Sequence, residues 1–155
     1  MNQAHYHLLF NHLPIIIPIV GVFVLLGGLA IKSEVVKRTA YFIFILGSLA
    51  NIAAIATGDG AEEAVKHIEG ITQGIIHEHE EKAELFALLS YILGSAAALA
   101  VWSSLRKKSF AHYISYTILA YSCAVLYFAL QTGTSGGEIR HTEIRDDTIL
   151  KDQYK

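Results

Sequence analysis

Seven of the eight histidines in this 155-residue chain flank or punctuate its apolar runs in a way that brings them to one end of a helical bundle. They are His5, His7, His12, His67, His77, His79 and His141, and His112 falls at the opposite end. Eight acidic residues lie between Asp59 and Glu84, in the same region as His67, His77 and His79. Neutral imidazole and carboxylate are the usual protein ligands of iron, zinc and copper, and a pair of imidazoles is enough to ligate haem iron. Any one of these side chains is more simply a solvated group at a helix end. Seven that converge favour a site.

Helical spacing sorts the candidates. His79 is in phase with Ala83, Ala87, Ser90, Gly94 and Ala97, a small-residue stripe that admits a neighbouring helix or a flat cofactor, so His79 is expected to look inward. His77 shares a different face with Glu80, Glu81 and Glu84, which is expected to meet water. Glu63 and His67 stand four apart, a spacing that suits one metal ion. His12 immediately precedes Leu13-Pro14 at a helix start, His5 is in phase with it only if the helix begins before His5, and His7 is expected in a loop. His141 follows a glycine-rich run, Gly133 to Gly137, whose Gly136-Gly137 step predicts a turn able to fold His141 over the bundle end.

The elements that must hold these residues are membrane helices. Four blocks contain no Asp, Glu, Lys or Arg: Leu13 to Ile31, Thr39 to Gly58, Leu85 to Leu105, and Ser109 to Gly137. About 20 apolar residues in a helix cross about 30 Å of hydrocarbon with every backbone polar group satisfied internally. The blocks lack the polar stripe that a water-soluble bundle needs, and 53% of the chain is hydrophobic. The expected fold class is therefore all-α, an integral membrane four-helix bundle with spans at about 13–31, 39–58, 85–105 and 112–132. Residues 1–137 form the membrane domain and 138–155 a polar tail. Between the second and third spans, Ala61, Ala64, Val65, Ile68, Ile71, Thr72, Ile75 and Ile76 predict a short amphipathic surface helix over about 61–76, broken near Gly70 or Gly74. The second span carries its own small stripe, Gly47, Ala50, Asn51, Ala54 and Gly58, able to pack on that of the third.

Half of the twelve Lys and Arg residues occupy two short connections, Lys32, Lys37 and Arg38, then Arg106, Lys107 and Lys108. Positive loops remain in the cytoplasm, so both termini and the histidine end are expected outside. Trp102, Tyr41 and Tyr113 are expected at the cytoplasmic interface. The first block has no basic residue before it and no small-x-small site after it, and is expected to remain in the mature protein.

Composition excludes much. A single cysteine, Cys123, permits no intrachain disulfide and no cysteine-built zinc site, and C-x-x-C-H is absent, so covalent haem attachment is excluded. A formal charge of -2 gives no reason to expect nucleic acid. There is no nucleophile elbow, phosphate loop or H-E-x-x-H. A redox carrier or metal-binding protein fits better than a hydrolase or transferase. The leading expectation is electron transfer through noncovalent haem b held by His12 and His79, with His7 and His141 as further candidates. The alternative is a centre for Fe, Zn or Cu built from His12, Glu63, His79, Glu80 and His141. A third reading is a cofactor-free accessory subunit packed through its small stripes. Expected partners are the lipid bilayer, an extracytoplasmic redox partner or quinone, and a second copy of the chain in a homo-oligomer.

Four segments carry a family resemblance: H-L-L-F-N-H-L-P from His7, T-G-D-G-A-E-E-A from Thr57, H-E-E-K-A from His79, and T-G-T-S-G-G-E-I-R-H-T-E-I ending at Ile144. With these the chain resembles, from about His7 to Ile144, the bacterial membrane family known as domain of unknown function 2231. Where the family pattern has Pro after its first His, this chain has Leu8. The resemblance implies a multi-pass protein of the bacterial cytoplasmic (inner) membrane. Because some members are joined to cytochrome c or Rieske domains, it also implies a place near electron transfer.

Overall fold

The computed structural model describes residues 2–107 and 110–145, apart from the side chains of residues 111, 112 and 142. His112 therefore lies outside the described side chains, as does most of the expected tail. The described residues form six α-helices: α1 (Gln3–Phe10), α2 (Leu13–Ala30), α3 (Glu34–Ala56), α4 (Gly58–Val65), α5 (Gln73–Leu105) and α6 (Ala111–Arg140), with a 3₁₀ turn at Thr142–Ile144. No strand occurs among the described residues. Four helical stretches are long and apolar enough to cross a membrane, and the protein is an all-α, multi-pass membrane bundle.

Each long helix packs on its neighbour in sequence, and α6 closes the ring on α2. The outside of the ring is as apolar as its inside: Phe23 is 68% exposed, Leu99 63% and Leu130 62%. Hydrocarbon is the solvent in which such a surface costs nothing. The α5 helix, at roughly 1.5 Å per residue, is about 50 Å long and exceeds the hydrocarbon thickness. Its polar first turns, to Glu84, stand clear of the apolar span that begins at Leu85.

Glycines set how closely α2 and α3 run. A side chain at Gly21 would sit 2.7 Å from the Phe44 ring, one at Gly28 2.8 Å from the Lys37 backbone nitrogen, and one at Gly47 2.9 Å from Pro18. Gly94 of α5 gives the corresponding close approach to Ser48 of α3, at 2.6 Å. The two small stripes therefore do not face each other as a pair. Gly47 closes on α2, whereas Ala87, Ser90, Gly94 and Ala97 are buried in the core, where Gly94 meets Ser48 of α3. The slot beside His79 expected for a flat cofactor is filled by a helix.

Other boundaries also differ from the sequence reading. The surface helix spans only Gly58–Val65, after which the chain turns through Gly70 at φ +82° and α5 begins at Gln73, capped by the Thr72 hydroxyl. The break falls at Gly70 because an L side chain there would be strained. Gly136 and Gly137 do not turn: α6 runs through both, since its last turns are packed against α5 and capped from outside. His7 is not in a loop, because Asn2 caps α1 by accepting from the His5 N–H and the helix starts at Gln3. Tyr41 does not face an interface. It is buried, and its hydroxyl pairs with Ser115 at 2.7 Å. Lys37 is 3% exposed inside α3 and paired with Glu34, which in turn accepts from Ser104 at 3.1 Å.

Candidate functional site

The even number of spans returns both termini to one end, where α1, α4, the start of α5 and the end of α6 gather. Two imidazoles are built into this end. His7, on α1, directs Nδ1 at the Ala54 carbonyl oxygen (3.1 Å) and the Thr57 hydroxyl (3.3 Å), at the C-terminus of α3. His79, on the first turns of α5, directs Nδ1 at the Ser135 hydroxyl of α6 (3.0 Å).

These partners fix the tautomers. A carbonyl oxygen only accepts, so His7 Nδ1 carries the hydrogen. Thr57 donates to Ala53 and Ala54 at 2.9 and 3.0 Å, leaving its lone pair for the same N–H. Ser135 gives its one proton to the Thr132 carbonyl at 3.1 Å, so it accepts from His79 Nδ1. With Nδ1 as the donor, the neutral form of each ring carries its lone pair on Nε2. A histidine whose Nδ1–H is anchored to a protein acceptor, with Nε2 free, is the arrangement found behind metal-ligating imidazoles.

Partial burial disfavours the protonated form of both rings. Desolvation is the largest influence holding the His79 pKa below its ordinary value of 6.5, followed by the neighbouring His7 charge, with the Thr132 carbonyl opposing. His7 is likewise lowered, first by burial, against the Ala54 hydrogen bond, and then by His12. His7 is thus coupled electrostatically to both His12 and His79. The His79 ring also lies against the backbone of Gly136, where a Cβ would come within 3.0 Å of Cε1 and 3.6 Å of Nε2. The Thr132 hydroxyl donates to the Lys82 carbonyl at 3.0 Å and locks α6 to α5 one turn below.

The other expected ligands are not gathered here. His12 is exposed at the start of α2 and its Nδ1 meets the Asn11 side chain. Glu63 is exposed and paired with Lys66. Glu80 is turned toward Glu62 of α4, and its pKa is raised by desolvation first and by that carboxylate second. His141 does not fold over the bundle. It is exposed beyond the last turn of α6 and meets Glu143 at 3.0 Å. His77 pairs with Glu80 and Glu81 on its own exposed surface, and His5 and His67 are exposed. Among the described residues no three His, Cys, Asp or Glu side chains converge to hold a metal ion, so the set His12, Glu63, His79, Glu80 and His141 is not a preformed centre.

Sequence reasoning missed the residues that do the positioning: Thr57, Thr132, Ser135 and Arg145. Arg145 is buried and donates to the carbonyls of Glu138 (2.7 Å), Ile139 (3.0 Å) and Gly70 (2.7 Å). It caps α6 and ties its end to the α4–α5 turn. The signal was present for Ser135 and Thr132, small polar residues at helical spacing beside glycine, which suit a close interhelical contact.

The lowered pKa values carry a pH dependence. Above 6.5 both rings are neutral whether folded or unfolded. As pH falls below 6.5 the unfolded chain takes up protons that the folded chain resists, so folded stability declines through that range. Thermal unfolding in detergent between about pH 7.5 and 5 should show this loss, and His79→Gln should flatten it. An unchanged profile in that variant would show that His79 is not the group held neutral. Comparison with protein-family models, curated proteins and solved structures finds no match to this chain.

Proposed function

We propose that the chain is a membrane electron-transfer protein whose histidine end holds the iron of a noncovalent b-type haem through His7 and His79. The observation that carries this reading is a pair of half-buried imidazoles at one end of the bundle, each with Nδ1 anchored on a protein oxygen and the two coupled electrostatically. A zinc, copper or non-haem iron ion normally takes three or four protein ligands. Haem iron brings four equatorial nitrogens of its own and asks the protein for two imidazoles. The donor set fits that demand. Bound there, haem would supply a one-electron couple. The chain's own residues orient two rings, disfavour their protonation by partial burial, and exclude water along the α5–α6 contact. The α3–α5 packing closes the core, so the approach is from the histidine end. His7 replaces His12 as the proposed partner of His79.

An absorption spectrum and metal analysis of protein purified after native expression test the proposal. A reduced low-spin haem spectrum near one haem per chain, removable by acidic organic extraction, is the expected result. Colourless protein free of haem would overturn it. Near-stoichiometric iron, zinc or copper without haem would replace it with the His/Glu metal centre. Neither cofactor would leave an accessory subunit packing in a membrane complex.

We further propose that this end faces outward from a bacterial cytoplasmic membrane, on the strength of the basic residues at the opposite end. In a Cys123→Ser background, a cysteine at Glu143 should react with a membrane-impermeant thiol reagent in intact cells, and one at Ser33 should not. The reverse pattern would put the histidines in the cytoplasm. An extracytoplasmic redox protein or a quinone is the partner class this sidedness suits.

A further inference from the structure

Asn51 is 2% exposed in the core of the bundle, and its side-chain Nδ2 has no hydrogen-bond partner. An amide donor left unsatisfied in an apolar core keeps its full desolvation cost, so a group in this state points to a ligand. The antiparallel register of α2 and α3 says what lies opposite. Gly28 meets Lys37, Gly21 meets Phe44, and Pro18 meets Gly47, so one further turn places Pro14 across from Asn51. Pro14 is itself fully buried. Its carbonyl is the acceptor that residue 18 of an α-helix would normally satisfy, and residue 18 is proline, which has no N–H. A donor without an acceptor and an acceptor deprived of its helical donor therefore lie at the same level of the buried α2–α3 contact. From α5, Gly94 packs on Ser48, which brings the buried Ser90 to that layer one turn nearer the histidine end.

We propose that Asn51, the Pro14 carbonyl and Ser90 form a binding site for a single internal water molecule. The chemistry selects water over an ion or a larger ligand. The occupant must accept from Asn51 and donate to Pro14, which one water does at once, and no charged side chain is present to compensate an ion. Ordered water is one of the groups that satisfy carbonyls freed by prolines in membrane helices. The site lies one turn below Ala54, the residue whose carbonyl anchors His7, so the floor of the histidine site is hydrated. The inference stands on α2, α3 and α5 alone and does not depend on what His7 and His79 bind.

Radiolytic hydroxyl labelling of the full chain in lipid nanodiscs, read by mass spectrometry, tests it, because radicals form from the bound water itself. After correction for intrinsic reactivity, Pro14 should be modified at least about threefold faster than the equally buried Phe44, whose layer offers no water site. In Asn51→Leu the Pro14 rate should fall to the Phe44 rate. Equal, slow rates in the unaltered protein would overturn the proposal, as would Pro14 labelling that persists in Asn51→Leu. A crystal structure that resolves waters gives a second reading independent of any variant. Density within hydrogen-bond distance of both Asn51 Nδ2 and the Pro14 oxygen supports the site, and a dry contact between them overturns it.

Discussion

Replacing His79 by alanine is expected to abolish the low-spin haem spectrum, and replacing His7 to do the same, while His77→Ala leaves it intact. The three residues lie at the same end of the molecule, so the contrast tests geometry rather than proximity. His79 and His7 each give Nδ1–H to a protein acceptor and keep Nε2 for a ligand. The His77 side chain is 71% exposed and meets Glu80 and Glu81 of its own helix, at 3.8 and 3.3 Å. Loss of one axial imidazole leaves iron with one strong protein ligand, which changes the spin state outright rather than by degree. His12→Ala separates the two pairings. If His12 and His79 were the ligands, His12→Ala would match His79→Ala and His7→Ala would be mild. Retention of the spectrum in His7→Ala together with its loss in His12→Ala would return the second ligand to His12. Ser135→Ala removes the anchor of His79 and not the ring, and should weaken cofactor affinity by about 10–100-fold while leaving its spectrum recognisable.

The four spans were legible in the sequence because a membrane helix must be apolar over a fixed length and must satisfy its own backbone, and both demands are local. Side-chain placement at the bundle end was legible only where one helix decided it. His79 points inward as its phase requires, and His77 points out. His7 depended on where α1 starts, which Asn2 decides by a single capping bond five residues upstream. The glycines of α6 read as a turn because glycine is a turn residue in isolation. They stay helical because Gly136 supplies a flat surface for the His79 ring and Arg145 returns to cap the helix past them. Tyr41 and Lys37 were misjudged for a related reason. An amphipathic side chain near a span end suits either the lipid interface or a buried partner, and Ser115 and Glu34, distant or near in sequence, provide that partner.

Gly136→Val is the substitution expected to separate a positioned histidine from one merely present. The first added carbon would lie 3.0 Å from His79 Cε1, tighter than most packed contacts, so the ring must give by a few tenths of an ångström, and the two valine methyls add further volume beside it. The helix can carry the residue, since Gly136 lies inside α6, so the strain falls on the imidazole and its bond to Ser135. Overpacking of this kind costs about 1–3 kcal/mol, which a four-span bundle survives, so folding and expression should hold while the spectrum is lost with His79 still in the chain. Gly133→Ala is the matched control. Its added carbon meets only the Ile15 Cδ1 at 3.2 Å, the far end of a flexible side chain, and alanine favours helix over glycine by about 1 kcal/mol. That variant should be as stable as the parent or slightly more so, with an unaltered spectrum. A Gly136→Val protein that folds and keeps a full low-spin spectrum would mean that the ring position fixed by Ser135 and Gly136 is not the ligating one.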